Sequence, residues 1–136
     1  MKAKLIFLLV ILTFCTSCSD TDDTIPQDPL EGVWYLKNVY GGIQGIDLDY
    51  DVGDVVWNFA MDQSTLRVET TFLTTGPKSI YKGLDSGKYT VGFDKQDTIR
   101  TIRIEGVRFQ VLQIDQSNLV LDDGLAADGF VRRFVR

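Results

Sequence analysis

Chemistry in this chain could come from three small groups of residues. Cys15 and Cys18 are its only cysteines, in the order Cys15-Thr16-Ser17-Cys18. A redox pair of this spacing needs the folded helix start of a thioredoxin-like unit. Here the pair stands at the end of an apolar run, Leu5–Phe14, preceded by Lys2 and Lys4. Asp47, Asp49 and Asp51 alternate with Ile46, Leu48, Tyr50 and Val52. A calcium loop beginning at Asp47 would need Gly and Glu where Val52 and Asn58 stand, so the alternation fits a solvated strand or loop face better. Asp122, Asp123 and Asp128 could gather carboxylates at one end of a sheet, as glycoside hydrolysis uses them. Asp beside Gly124 and Gly129 is equally ordinary turn chemistry. Histidine is absent. That excludes Ser-His-Asp and Cys-His catalysis by this chain and removes the commonest zinc ligand. No phosphate loop, dinucleotide fingerprint or zinc spacing occurs. No catalytic residue, metal or cofactor is assigned, and the chain is not read as an enzyme.

The elements around these residues begin with a leader. Two lysines, a ten-residue apolar run and small residues before Cys18 make the order of a secretory signal. As a helix the run would span about 15 Å, half of a bilayer core, so it is not expected to remain as a transmembrane span. Phe14–Cys18 resembles the lipobox of bacterial lipoproteins, with Cys15 where Leu is commoner. The resemblance implies cleavage between Ser17 and Cys18, diacylglycerol on the Cys18 sulfur and acylation of the new amino terminus. The chain then divides into a signal peptide (1–17), a lipidated Cys18 with an acidic flexible linker (18–29) and a folded domain (30–136). Asp20, Asp22 and Asp23 resemble a surface-export signal of Gram-negative lipoproteins and serve equally as a solvated linker. The expected location is the outer membrane of a Gram-negative bacterium, periplasmic or surface-exposed. The formal charge is −5, and losing Lys2 and Lys4 makes the mature chain more acidic. Such a surface repels nucleic-acid phosphates, and no nucleic-acid partner is expected.

From Leu30 onward the apolar pattern has period two, and no stretch carries a sustained helical period. Glu31–Tyr40 places Trp34, Leu36 and Tyr40 on one face. Asp54–Ala60 does the same with Val55, Trp57 and Phe59, and Thr65–Leu73 with Leu66, Val68 and Phe72. Ser79–Lys82 is expected as a short strand. Lys88–Phe93 and Thr98–Glu105 follow. Val107–Asp115 changes phase near Val111-Leu112, which predicts a bulge. Leu119–Asp122 and Phe130–Arg136 end the series. Eight or nine short strands joined by tight turns predict an all-β meander, and closing it into a barrel removes the exposed edges.

The Gly32-Val33-Trp34-Tyr35 start resembles the Gly-x-Trp of the lipocalins' first strand. Gly53–Phe59 and the ending Asp128-Gly129-Phe130 to Phe134 are similar to short lipocalin-like domains of bacterial lipoproteins. The resemblance implies a small eight-stranded antiparallel up-and-down barrel, closed by a first-to-last strand contact in which an Arg packs over Trp34. Alternation leaves Arg132 and Arg133 both open for that place. Arg132 is preferred, since it accompanies the larger aromatics Phe130 and Phe134 inward. Gly32, Trp34 and Arg132 are thus the expected closure residues. Trp57, Phe59, Phe72, Tyr89 and Phe109 either line a cavity for a small apolar or amphipathic ligand or fill a packed core. The expected partners are the membrane, through lipid on Cys18, and either such a ligand or an envelope protein that the chain contacts or inhibits.

Overall fold

The computed structural model describes residues 28–72, 75–96 and 99–136. The leader, Cys18 and the linker as far as Gln27 lie outside the described residues. Nine strands follow in order: β1 Gly32–Gly41, β2 Ile46–Asp49, β3 Val55–Ala60, β4 Thr65–Thr70, β5 Gly87–Gln96, β6 Ile99–Ile104, β7 Val107–Ile114, β8 Asn118–Asp122 and β9 Phe130–Val135. Every pairing is antiparallel, each strand from β3 to β9 beside the next. β1 pairs with β9 on one side and with β2 and β3 on the other. β2 and β3 are two pieces of one wall strand, so nine strands close an eight-stranded barrel.

The break in that wall strand follows from the register. Asn38 opposes Asp49 and Tyr35 opposes Val56. The six residues Tyr50–Val55 therefore face a span of only two on β1, and the surplus leaves the sheet as a loop. Tyr50 turns inward from this loop and is fully buried.

The core is the inward face of the alternating strands. Trp34, Leu36, Trp57, Phe59, Leu66, Val68, Ile102, Ile104, Leu119, Leu121 and Phe134 are all buried there. Burial of such side chains contributes roughly 1.5–3 kcal/mol each and is the main force closing the barrel. Two bulges adjust the alternation. One lies between Val111 and Gln113 on β7, where the phase change at Val111-Leu112 placed it. The other lies between Leu36 and Asn38 on β1 and flips the phase of its second half. Tyr40, expected on the inward face with Trp34, is therefore directed outward, with the Arg133 guanidinium 5.0 Å from its ring centre, and Val39 takes the buried place.

The expected strand at Ser79–Lys82 is instead a short helix, α1, Pro77–Tyr81. Gly76 precedes it in extended backbone and Pro77 occupies the first turn, where a missing N–H costs nothing. Five residues are too few for a helical period to show in the sequence.

The two ends of the barrel differ. Ala60–Thr65, Asp115–Asn118 and the first described residues gather at one end. Tyr50 and its loop, α1, Glu105-Gly106 and the Asp123–Gly129 loop gather at the other. No helix among the described residues is long and apolar enough to cross a membrane.

Candidate functional site at the barrel mouth

The first end is sealed. Trp34 is fully buried on β1, and its Nε1 donates to the Leu30 carbonyl at 2.9 Å. Gly32 stands two residues earlier with φ +104 and open space where a Cβ would be. It is needed for its backbone turn, not for close packing. The arginine over Trp34 is Arg136, its Cζ 4.0 Å from the ring centre, and neither Arg132 nor Arg133. Strand register is the reason. Tyr35 opposes Val135, so Trp34 meets the residue after β9, whereas Arg132 opposes Val39. The face was read correctly, and the place along the strand was two pleats off. Arg136 also donates to the Pro29 carbonyl at 2.9 Å. Asp28 receives two hydrogen bonds from Arg100 Nη2, both 2.9 Å, and one from the Leu30 N–H. Asp28 and Pro29, read with the linker, thus belong to the seal.

Arg132 lies toward the opposite end, pointing into the barrel and only 6% exposed. Its Nη1 donates to Asp123 Oδ2, and the Phe130 N–H donates to Asp123 Oδ1. The guanidinium lies between two rings, 5.9 Å from the centre of Phe109 and 6.0 Å from that of Phe130. Its Nε is buried and meets no acceptor. Among the described residues one other buried side-chain nitrogen or oxygen is in that state, Trp57 Nε1. Trp57 packs edge-on against the same Phe109, ring centres 6.1 Å apart.

α1 and the residues after it cover this end. The buried Tyr50 hydroxyl donates to the Lys78 carbonyl at 2.8 Å, and Tyr81 packs on Phe130 with ring centres 5.3 Å apart. Lys82 is buried on the same segment and donates to the Ser79 carbonyl and to Asp85, both at 2.8 Å. Gly83 follows with φ +96 and lies directly on Arg132. Burial pushes the Tyr50 phenol up to about 12, with Arg132 pulling the other way and Asp54 adding to the rise. Tyr50 therefore stays a neutral donor at physiological pH and pins the cover.

The aromatic residues divide between core and mouth. Trp57 contacts Phe59 at 6.1 Å and Phe134 at 4.7 Å between ring centres, so Trp57, Phe59 and Phe109 pack on one another in the interior. Phe72 is half-buried against Tyr50, ring centres 6.0 Å apart. Tyr89 is half-buried beside the cover, its hydroxyl donating to the Asp85 carbonyl. A cavity of about 190 Å³ opens beside the cover, lined by Gly42, Ile43, Gln44, Tyr81, Asp128 and Phe130 among others.

The acidic groups are structural. Asn38 Nδ2 donates to both Asp47 and Asp49, at 2.8 and 3.1 Å. Asp122 Oδ1 accepts from the Gly124 and Leu125 N–H groups, and Asp128 from the Ile43 N–H. No group of acidic or cysteine side chains able to hold a metal ion occurs among the described residues. Sequence reasoning did not single out Tyr50, Gly83 or the mouth role of Arg132. Gly76-Pro77 was the one available signal for the cover, and nothing local told that it would fold back over the barrel.

A solved structure shares this architecture, a lipocalin-like protein from Bacteroides uniformis, with a TM-score of 0.50 and 16% identity over 80% of this chain and 99% of that one. No protein-family model and no curated protein matches the sequence. Closed eight-stranded antiparallel topology, a first-strand Gly-x-Trp and an arginine over that Trp together define a lipocalin-like domain.

Proposed function

We propose that this chain is an outer-membrane lipoprotein, held by lipid on Cys18, whose lipocalin-like domain binds a small amphipathic ligand at the mouth and carries out no catalysis. The observation that supports binding is the buried Arg132, whose Nε lacks an acceptor beneath a cover of one short helix. Buried donors are seldom left unpaired, because each costs the desolvation of a polar group. The other end is sealed by Trp34, Leu30, Arg136 and the Asp28–Arg100 pair, which leaves the mouth as the route of access. Exposed apolar side chains concentrate there as well. Ile43, Val52, Ile80, Val107 and Leu125 stand in or beside the mouth loops.

A second reading, an envelope lipoprotein that contacts another protein, draws on the tight packing of Trp57, Phe59, Phe109 and Phe134. The two separate in one titration. The mature chain carrying Cys18→Ala is mixed with Nile red, a neutral polarity-sensitive dye. Saturable one-to-one binding, reduced by Ile80→Asp, is expected for a mouth site. A dye signal that never saturates, together with a saturable envelope-protein partner, would decide for the second reading.

A further inference from the structure

We infer that the outer wall formed by β9, β1 and β2 is a docking face for a second copy of this chain, set beside the first and pointing the same way. This wall carries both signs of charge in one row. Register places Arg133, Asn38 and Asp49 next to one another on β9, β1 and β2. All three point outward, because Arg132, Phe134, Val39 and Leu48 beside them take the inward places. Arg133 and Asp49 are exposed. Among the described residues Arg133 pairs with no carboxylate and Asp49 with no cation. The first stacks on Tyr40, and the second accepts from Asn38 Nδ2. Lys37, the extra residue of the β1 bulge, is exposed on the same wall. Two open cavities of about 480 and 730 Å³ share Lys37 and Arg133 in their linings.

The order of the charges names the occupant. A polyanion on Arg133 would meet Asp47 and Asp49, and a polycation on those acids would meet Lys37 and Arg133. A copy turned about a two-fold axis running along β1 meets neither obstacle. The axis passes over Asn38, about 5 Å from each flanking strand. Arg133 of each copy then falls on Asp49 of the other, and the contact is isologous. In the next outward row toward the sealed end, the half-buried Val135, Tyr35 and Val56 lie side by side. The same rotation sets Val135 against Val56 and Tyr35 against its own copy. An axis across the strands would instead lay β9 on β9 and bring the two Arg133 together, which like charge opposes. Stacked sheets keep their strands within about 30° of one another, so both sealed ends point the same way. On the lipoprotein reading above, both anchors then enter one membrane. The wall spans three strands, roughly 15 Å, and is well short of a standard interface. Pairing is therefore weak in dilute solution and gains from confinement at a membrane.

The test uses the mature chain with Cys18→Ala at concentrations up to about 1 mM, the order that tethering supplies. Sedimentation reads association. A zero-length carbodiimide applied to an equal mixture of unlabelled and ¹⁵N-labelled chains reads the contact, since only a link between copies yields mixed-isotope peptides. A salt-sensitive monomer–dimer equilibrium is expected, with mixed-isotope links from Lys37 to Asp49 or Asp47. Arg133→Glu and Asp49→Arg should each abolish the dimer alone, because each sets like charges together at both contacts. Mixing the two variants should restore it, since Glu faces Arg at one contact and Arg133 faces Asp49 at the other. Both variants keep a net negative charge, so bulk attraction does not bring them together. Should a variant fail to fold, the isotope-mixed links on the unaltered wall still decide. A chain that stays monomeric throughout, mixed-isotope links that avoid Lys37, or two folded variants that do not associate when mixed would each overturn the inference.

Discussion

Trp34 and Tyr50 show how single residues divide the labour between the two ends. Trp34 is packed, hydrogen-bonded and covered by Arg136, all at the sealed end. Trp34→Ala should cost about 3–5 kcal/mol, the range for truncating a buried Trp, measured by urea unfolding. Dye binding at the mouth should persist in the surviving folded fraction. A variant that unfolds at the native midpoint yet loses dye binding would reverse that assignment. Tyr50 works at the other end. Its phenol titrates at about 12 in the fold, against 10.0 for an ordinary tyrosine. Between those values the unfolded chain has lost a proton that the folded chain keeps, so stability falls as pH rises. The contribution is fully present below pH 10 and is lost as pH climbs toward 12. Tyr50→Phe should flatten this alkaline decline, as followed by denaturation midpoints from pH 9 to 12.

Turns and bulges carry the element scale. The β7–β8 turn is organised by Asp115, whose Oδ1 accepts from the Ser117 and Asn118 N–H groups at 2.8 Å, while Gln113 donates to Oδ2. The Ser117 N–H, followed by Gln113 and the Asn118 N–H, holds this carboxyl down at about 2. The stability it contributes is present above the ordinary carboxyl value of 3.8 and is lost as pH falls from there toward 2. Asp115→Ala should therefore lower the melting temperature at pH 7, and the gap from the unaltered protein should narrow by pH 2.5. An unchanged gap across that range would show that the turn is held by something else. Strand alternation made most of these elements legible, including the bulge at Val111-Leu112, because apolar residues shift phase there within one strand. The β1 bulge was not legible. Trp34, Leu36 and Tyr40 share one parity with Asn38 among them, and only pairing with β9 decides which half of the strand yields.

At the scale of the whole molecule, the chain coming from Cys18 joins the barrel at its sealed end, where Asp28 binds Arg100. The mouth and its cover lie at the far end. A lipid anchor on Cys18 would then hold the domain by its sealed end, opposite the proposed binding mouth. Cys18→Ala should abolish incorporation of radiolabelled fatty acid and move the protein from the membrane fraction to the soluble one. Undiminished labelling of that variant would exclude Cys18 as the lipid site. Two or three acyl chains give stable attachment where one gives marginal binding, so a protein carrying the diacylglycerol alone should still fractionate with the membrane.

By itself the sequence determined an all-β domain, the strands that form most of it and the absence of any histidine-based chemistry in this chain. These follow from period-two burial and from composition, which are local properties. Tertiary structure alone decided that Arg136 covers Trp34, that Arg132 is released into the mouth, and that Pro77–Tyr81 folds over it. The helix is held by its contacts with Tyr50 and Phe130, and the two arginines share one physical reason. Antiparallel register between the first and last strands joins residues about a hundred positions apart, and a shift of two pleats leaves every local pattern intact while exchanging one arginine for another.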